Sequence, residues 1–452
     1  MGAETAVPKP MFSGPARLVL AWAGLIAVGA SLLRLPASAR AVPLSCLEAL
    51  FTSTSAVCVT GLSTINVGER LSPFGQAVLL GLIQLGGLGI STVSTLLLAT
   101  AGRASIAQQY EARDALAAVR VKPMQVLWWA IGITLVSEGI GAVILAERFG
   151  GEHGWWYGVF HSVSAFCNAG FSPFADNLMG YRGDAVVNFT VAGLIMVGGL
   201  GFIALRQLFL WTAGVVRRRR VPLFLHTRVV LTASVLLWIV GAVVFIVLEH
   251  DHTMADLDGR QRALAGFFQS VTPRTAGYNT LDFGMMREPT LLFTIVLMFI
   301  GAAPGSCAGG VKVTTAVAVL AALRSRIQGI PHVSLFNRTL PLGVVARAFY
   351  IVILSTLFLV IVIGALVMTE ETRPMAGLRA DRLTALAFEA VSAFGTVGLS
   401  TGITPNLSAG GQLLIILTMF VGRLGPLALA VAVLRVRSRP LYEYPKEEVA
   451  IG

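Results

Sequence analysis

FEAVSAFGTVG at Phe388–Gly398 is a short apolar stretch carrying one carboxylate and two hydroxyls, opened by a phenylalanine and closed ten residues later by a glycine. The same plan returns as FTSTSAVCVTG at Phe51–Gly61, FHSVSAFCNAG at Phe160–Gly170 and FFQSVTPRTAG at Phe267–Gly277. The closing glycines lie 109, 107 and 121 residues apart, so the chain is one unit used four times. Self-similarity of this kind decides architecture before local propensity does.

Outward from these stretches the chain is apolar. Hydrophobic residues make up 55%, charged residues 13%, and mean hydropathy is +0.78. Soluble domains carry about a quarter charged residues, so the excess apolar surface must face lipid. Eight stretches are apolar enough to cross a bilayer as helices: Leu18–Leu33, Gln76–Thr100, Val126–Leu145, Val186–Leu205, Val229–Leu248, Leu291–Ile300 with its continuation after a break, Val344–Met368 and Gln412–Leu434. The 48 glycines suit close helix packing in a membrane.

The net charge of +11 is distributed by loop. Arg103, Arg113, Arg120 and Lys122 share one loop; Arg206, Arg217–Arg220 and Arg228 share the next but one; Arg324, Arg326, Arg338 and Arg347 share a third. Arg435, Arg437, Arg439 and Lys446 follow the last span, while the alternate loops mix signs, as in Glu147–Glu152 and in Glu249, Asp251, Asp256 and Asp258. Basic loops stay in the cytoplasm, so both termini are expected inside a cytoplasmic membrane. The basic excess marks topology, not a nucleic-acid footprint. Lys9 and Arg17 before an apolar run resemble a signal peptide, but no small-residue cleavage site precedes a soluble domain, so this is read as the first span. Cys46, Cys58, Cys167 and Cys307 form no CxxC pair. Cys58 and Cys167 fill one slot in two repeats and are expected as small pore-wall side chains, not as a disulfide.

Each unit therefore holds a first span, a segment of about ten residues, a glycine turn and a second span. The middle segment is too short to cross and must enter and leave on one face. Pro43–Val57, Trp155–Phe166, Arg260–Thr272 and Asp381–Ala393 read as re-entrant helices dipping from outside. Non-helical backbone at that depth is tolerated only where it is buried in protein or lines a water-filled path. Carbonyls turned toward an axis need positive or alternating φ, which glycine adopts without a Cβ penalty. Four such turns present rings of carbonyls able to replace the hydration shell of a monovalent cation. The expected fold is all-α and integral to the membrane, with eight spans and four re-entrant loops in pseudo-four-fold array. Its repeats cover 1–102, 103–215, 216–330 (second helix broken) and 331–440, followed by a cytosolic tail at 441–452.

TVGLS at Thr396–Ser400, SVTPRTAGYNT at Ser270–Thr280 and the four-unit plan resemble the Trk/Ktr/HKT superfamily of potassium transporters, closest to the Ktr membrane subunit, whose terminus the tail YPKEEVAIG also resembles. The resemblance implies a potassium-selective filter of backbone carbonyls at Val59, Thr60, Gly61 and Leu62; Asn168, Ala169, Gly170 and Phe171; Thr275, Ala276, Gly277 and Tyr278; and Thr396, Val397, Gly398 and Leu399. One glycine per unit leaves fewer ion sites than a full TVGYG filter, so sodium is expected to influence transport. The resemblance also implies a homodimer on a cytosolic ring of RCK-type regulatory subunits, with nucleotide bound only through that partner. The superfamily further includes less selective sodium/potassium transporters, which are the alternative reading.

GAAPGSCAGGVK at Gly301–Lys312 is dense in helix breakers at mid-membrane. Gly301, Pro304, Gly305, Ser306, Gly309 and Gly310 read as a non-helical loop, and by resemblance as an intramembrane gate beneath the filter. Ala302, Ala303 and Cys307 depart from the family's GGSPGSTAGG and are expected to stiffen it. Arg423, in the last span, is an intramembrane charge and so a functional hypothesis by default; it is expected to face the pore below the filter and oppose leak. Lys312 either caps a helix end or reaches cytosolic water. Arg274 is expected in an interior ion pair, with Glu389 as one partner.

An integral-membrane enzyme would need a converging nucleophile–base or metal constellation. The six histidines form no HExxH, and His161 beside Ser162 lies in a slot filled by Thr52, Phe268 and Glu389 elsewhere. The glycines of 301–310 follow no strand and are no nucleotide fingerprint. The chain is therefore not read as an enzyme, and a non-transporting scaffold leaves the four glycines unexplained.

Overall fold

Capping boxes decide where two of the four short helices begin. The Ser45 hydroxyl accepts from the Glu48 N–H at 3.2 Å while the Glu48 carboxylate accepts from the Ser45 N–H at 2.8 Å. Asp258 and Gln261 repeat this reciprocal box at 2.7 and 3.4 Å. The helices accordingly run Cys46–Val57, Gly154–Phe166, Gly259–Val271 and Arg382–Gly395, each within three residues of its expected limits. The computed structural model describes residues 14–100, 123–219, 221–371 and 380–425, with side chains described outside 14–18, 90–100 and 123–127. The basic loop at Arg103–Lys122, Arg220, the last span beyond Gly425 and the tail at 441–452 lie outside the described residues.

First spans are Gly14–Leu33, Pro123–Phe149, Leu225–Glu249 and Leu342–Thr369; second spans are Pro73–Thr100, Ala185–Leu200 continued by Phe202–Val216, Glu288–Phe299 continued by Val313–Ile327, and Ala409–Leu424. Among the described residues, three first spans are long and apolar enough to cross a membrane unbroken: those of repeats two, three and four. The second spans of repeats two and three are the broken ones. The span of repeat two, expected unbroken over Val186–Leu205, turns by 104° at Gly201, whose φ is +82°.

Each short helix packs on the first span of its own repeat and on the second span of the repeat before it. Pro73–Thr100 meets Gly154–Phe166, Ala185–Leu200 meets Gly259–Val271, Glu288–Phe299 meets Arg382–Gly395, and Ala409–Leu424 returns to Cys46–Val57. The four units thus close into a ring. Small residues permit the approach. A Cβ on Gly141 would lie 2.5 Å from Ser162 Oγ, and one on Gly241 would lie 2.8 Å from Ser270 Cβ. Ser53 and Ser162 use that proximity to donate to the Ile26 and Glu138 carbonyls of their first spans, at 2.8 and 2.7 Å.

The third copy departs from the ten-residue interval. Phe51, Phe160 and Phe388 are fully buried, but in repeat three Phe268 takes that place and Phe267 is only half-buried. Two residues, Pro273 and Arg274, link Thr272 to Thr275 where repeat one has Ala56, Val57 and Cys58 between Ser55 and Val59. Backbone bonding follows the shortening. The Thr60, Ala169 and Val397 N–H groups reach back five residues to Ser55, Ser164 and Ser392, whereas Ala276 reaches back four to Thr272. The residue matching His161 is therefore Gln269, not Phe268.

Candidate functional site

In every repeat the residue two before the glycine is left-handed: Val59 (φ +56°), Asn168 (+60°), Thr275 (+71°) and Thr396 (+50°). The glycines follow at +96°, +67°, +74° and +90°, while Thr60, Ala169, Ala276 and Val397 between them are not left-handed. This is the alternating backbone expected for the four turns. Left-handed backbone costs an L-residue roughly 1–2 kcal/mol, so four such residues at one depth are held there by their surroundings.

The four turns meet. A Cβ on Gly170 would lie 2.6 Å from the Ala276 carbonyl oxygen, and one on Gly277 would lie 2.6 Å from that of Val397. A Cβ on Gly398 would fall closer still to the Thr60 oxygen, and one on Gly61 to the Ala169 oxygen. Each glycine therefore faces the carbonyl before the next repeat's glycine, in the cyclic order one, two, three, four. A side chain on any of the four would displace its neighbour's backbone.

Hydroxyls at the end of each short helix frame the turns in two ways. Ser55 Oγ accepts from the Gly61 N–H at 3.0 Å and Ser392 Oγ from the Gly398 N–H at 3.1 Å. Ser164 Oγ instead donates to the Phe171 carbonyl at 2.9 Å, and Thr272 Oγ1 donates to the Tyr278 carbonyl. Behind the turns, the His161 ring meets Tyr157 O at 2.8 Å and Ser172 Oγ at 3.0 Å. Glu389 accepts from Ser400, Thr401 and Thr404.

Residues 300–312 are non-helical, as their glycines and Pro304 require. The loop's backbone groups find partners in the break at Gly201. The Phe202 N–H donates to Gly305 O at 3.1 Å, which frees Gly198 O to accept from the Cys307 N–H at 3.4 Å, and Gly199 O accepts from the Ala303 N–H at 3.1 Å. Two interruptions in separate repeats thus satisfy each other. On its other side the loop lies against the turns. A Cβ on Gly310 would lie 3.1 Å from Gly395 Cα, and one on Gly309 would strike Thr396 Oγ1. Ser306 Oγ donates to Ala303 O at 2.6 Å, and Lys312 Nζ donates to Ala308 O at 2.6 Å and Gly309 O at 3.1 Å. Lys312 thus holds the loop's own carbonyls.

Arg423 is 3% exposed and does not snorkel to an interface. It occupies the slot of Gly87, Gly199 and Ala302 in the sequences GGLG, GGLG, GAAP and GRLG. Its guanidinium donates to Cys307 O in the loop and, at 2.5 Å, to Gly86 O in the second span of repeat one. Its Cζ sits 5.7 Å from the centre of the Trp22 ring. Arg423 thus clamps the loop between repeats four and one.

Arg274 does not pair with Glu389. It donates through Nη2 to Gly301 O at 3.2 Å, because the shortened linker of repeat three brings it over the start of the loop. Glu389 is already satisfied by hydroxyls and an amide of its own repeat. Cys58, Cys167 and Cys307 are buried free thiols, and Cys46 is free and exposed.

Two features escaped the sequence reading. Glu138, 6% exposed in the first span of repeat two, accepts from Gln84 Nε2 at 3.2 Å and lies 3.8 Å from Cys167 Sγ. An isolated acid in a long apolar helix was the signal, since such residues are costly there. The kink at Gly201 carried no distinctive signal, because the identical GGLG at Gly86–Gly89 lies inside the unbroken helix Pro73–Thr100.

Comparison with known proteins agrees with this architecture. The model of the TrkH family, described as cation transport protein, matches residues 17–441. Ktr system potassium uptake protein B of Bacillus subtilis is 36% identical over 98% of this chain and 97% of its own length. The protein of the same description from Vibrio alginolyticus is 38% identical over 97% and 95%. The potassium/sodium uptake protein NtpJ of Enterococcus hirae is 36% identical over 95% of each. In fold, the chain is similar to the crystal structure of the potassium transporter TrkH from Vibrio parahaemolyticus, with a TM-score of 0.72 and 18% identity over 96% of this chain and 87% of that one. With its four-unit ring and near-complete match to the family model, the chain belongs to the TrkH family of cation transport proteins.

Proposed function

We propose that this protein carries potassium into the cell through the ring of glycine turns, with main-chain oxygens around Gly61, Gly170, Gly277 and Gly398 standing in for the ion's water. The observation that carries this reading is the closed cycle in which each glycine meets the next repeat's carbonyl. No chemistry on the ion is required. The protein's task is to match carbonyl spacing to a dehydrated monovalent cation while the membrane potential supplies the driving force. The names of the relatives support potassium as the cargo, and that of NtpJ supports sodium as a second ion. The purified protein in liposomes should take up potassium along an imposed potential, with sodium moving more slowly. Equal rates for both ions would replace this reading with the less selective sodium/potassium transporter.

The loop 301–312 acts as the gate in this reading, because it abuts the turns and closes on Arg423 and Lys312. Deleting Ala302–Gly309 should raise potassium flux per folded molecule about tenfold in the absence of any partner. Unchanged or lower flux in protein that elutes as wild type does would remove the loop from the gate. Regulation falls to a cytosolic RCK-type ring, with nucleotide bound there and two copies of this chain in the membrane. Co-purification with such a subunit encoded beside it, and nucleotide-dependent flux only in the complex, are the checks.

A further inference from the structure

The four glycine turns are not framed alike, and the difference concentrates on one seam. The residue after the glycine is Leu62, Phe171, Tyr278 and Leu399 in the four repeats. Among these only tyrosine carries a hydrogen-bond donor on its side chain. The Tyr278 side chain is fully buried and lies against repeat two, where its hydroxyl donates to the Phe171 carbonyl at 3.0 Å. Phe171 O also accepts from Ser164 Oγ at 2.9 Å, so both of its lone pairs are engaged by side chains. The same seam holds Asn177 Nδ2 on Gly277 O at 3.4 Å and the Leu178 N–H on Asn279 O at 3.2 Å.

Taking the glycine ring as the filter, we infer that Tyr278 is a specificity-determining strut. Its phenol fixes the spacing between the turns of repeats two and three and so sets how well the ring rejects an ion smaller than potassium. It is a positioning residue that touches no ion. A buried hydroxyl–carbonyl bond constrains the backbone on both sides of the seam. Once it is lost, the Phe171 carbonyl regains a free lone pair and the freedom to turn toward a smaller, more strongly polarising cation. Repeats four and one are framed differently, through Ser392 and Ser55 on their glycine N–H groups. The framing is accordingly two-fold, with the carbonyls after the glycine engaged by side-chain hydroxyls in repeats two and three.

The test is potassium and sodium flux in liposomes containing wild type, Tyr278→Phe, Ser164→Ala and the double variant, with Gly398→Ser measured in parallel. Tyr278→Phe keeps the ring and its packing and removes one oxygen. A typical net hydrogen bond corresponds to a change of roughly three- to tenfold, which is the expected fall in the potassium-to-sodium ratio. The double variant should fall below either single one, because it strips both donors from Phe171 O. A purely structural role would lower thermal stability and leave the ratio alone. If Gly398→Ser changes the ratio and neither Tyr278→Phe nor the double variant does, the strut is overturned and the filter stands. If Gly398→Ser also leaves it unchanged, the filter reading falls and the strut falls with it.

Discussion

Replacing Gly398 by serine is expected to lower the potassium-to-sodium flux ratio by at least tenfold. A Cβ at this position would sit 3.0 Å from Gly61 Cα and closer still to the Thr60 carbonyl oxygen, on a backbone with φ of +90°. Nothing there is the far end of a flexible side chain, so the main chain of repeat one must move. Carbonyl rings discriminate through the number and spacing of their dipoles, and a shift of a few tenths of an ångström on one side breaks both. Gly24→Ala is the control: no heavy atom lies within 4 Å of its added methyl. It should keep both flux and ratio. A wild-type ratio in Gly398→Ser would falsify the assignment of the ring as the filter.

The second large effect is expected at Arg423. Sequence reasoning cast it as a positive charge opposing leak. Within the proposed gate these contacts give it a mechanical role as well, because the guanidinium fork holds Cys307 O of the loop and Gly86 O of repeat one together. A hydrogen bond to a charged group contributes about 1.5–3 kcal/mol, so losing the bond to Cys307 should shift the loop's open–closed balance by at least roughly tenfold. Arg423→Ala is expected to raise potassium flux per folded molecule by that factor. Arg423→Lys separates the two roles. Lysine keeps the charge but lacks the rigid planar fork that can span two carbonyls. A clamp predicts raised flux in the lysine variant as well, while a pure charge barrier predicts wild-type flux. Identical flux in all three proteins would remove Arg423 from the gate.

Much of this was legible because the decisive constraints are local and repeated. A glycine at a matched place in each of four units, the breakers of 301–310 and the lone arginine in an apolar span all announce themselves in one dimension. The short helices appear within three residues of expectation, with capping boxes at Ser45 and Asp258 fixing two of the starts. The misreadings came from contacts between repeats. Phe267 and Phe268 are adjacent and chemically alike, and only burial decides which one faces the core. Arg274 and Glu389 look complementary, yet the missing residue in repeat three swings Arg274 over Gly301, and hydroxyls of repeat four satisfy Glu389 first. Glu138 carried a signal that went unread.

By itself the sequence determined that the chain is a membrane protein of four like units, each following a short helix with a glycine turn, with one span interrupted at 301–310 and interior arginines at Arg274 and Arg423. Those properties follow from hydropathy, period and the conformational freedom of glycine, all of which act along the chain. Only the tertiary structure decided that the ring closes in the order of the repeats, that the break at Gly201 exists to receive the loop, and that Phe171 and Tyr278 are tied across one seam. These depend on which carbonyls lose their helical partners and which neighbours replace them. Such pairings are made between segments about a hundred residues apart, where no spacing rule in the sequence reaches.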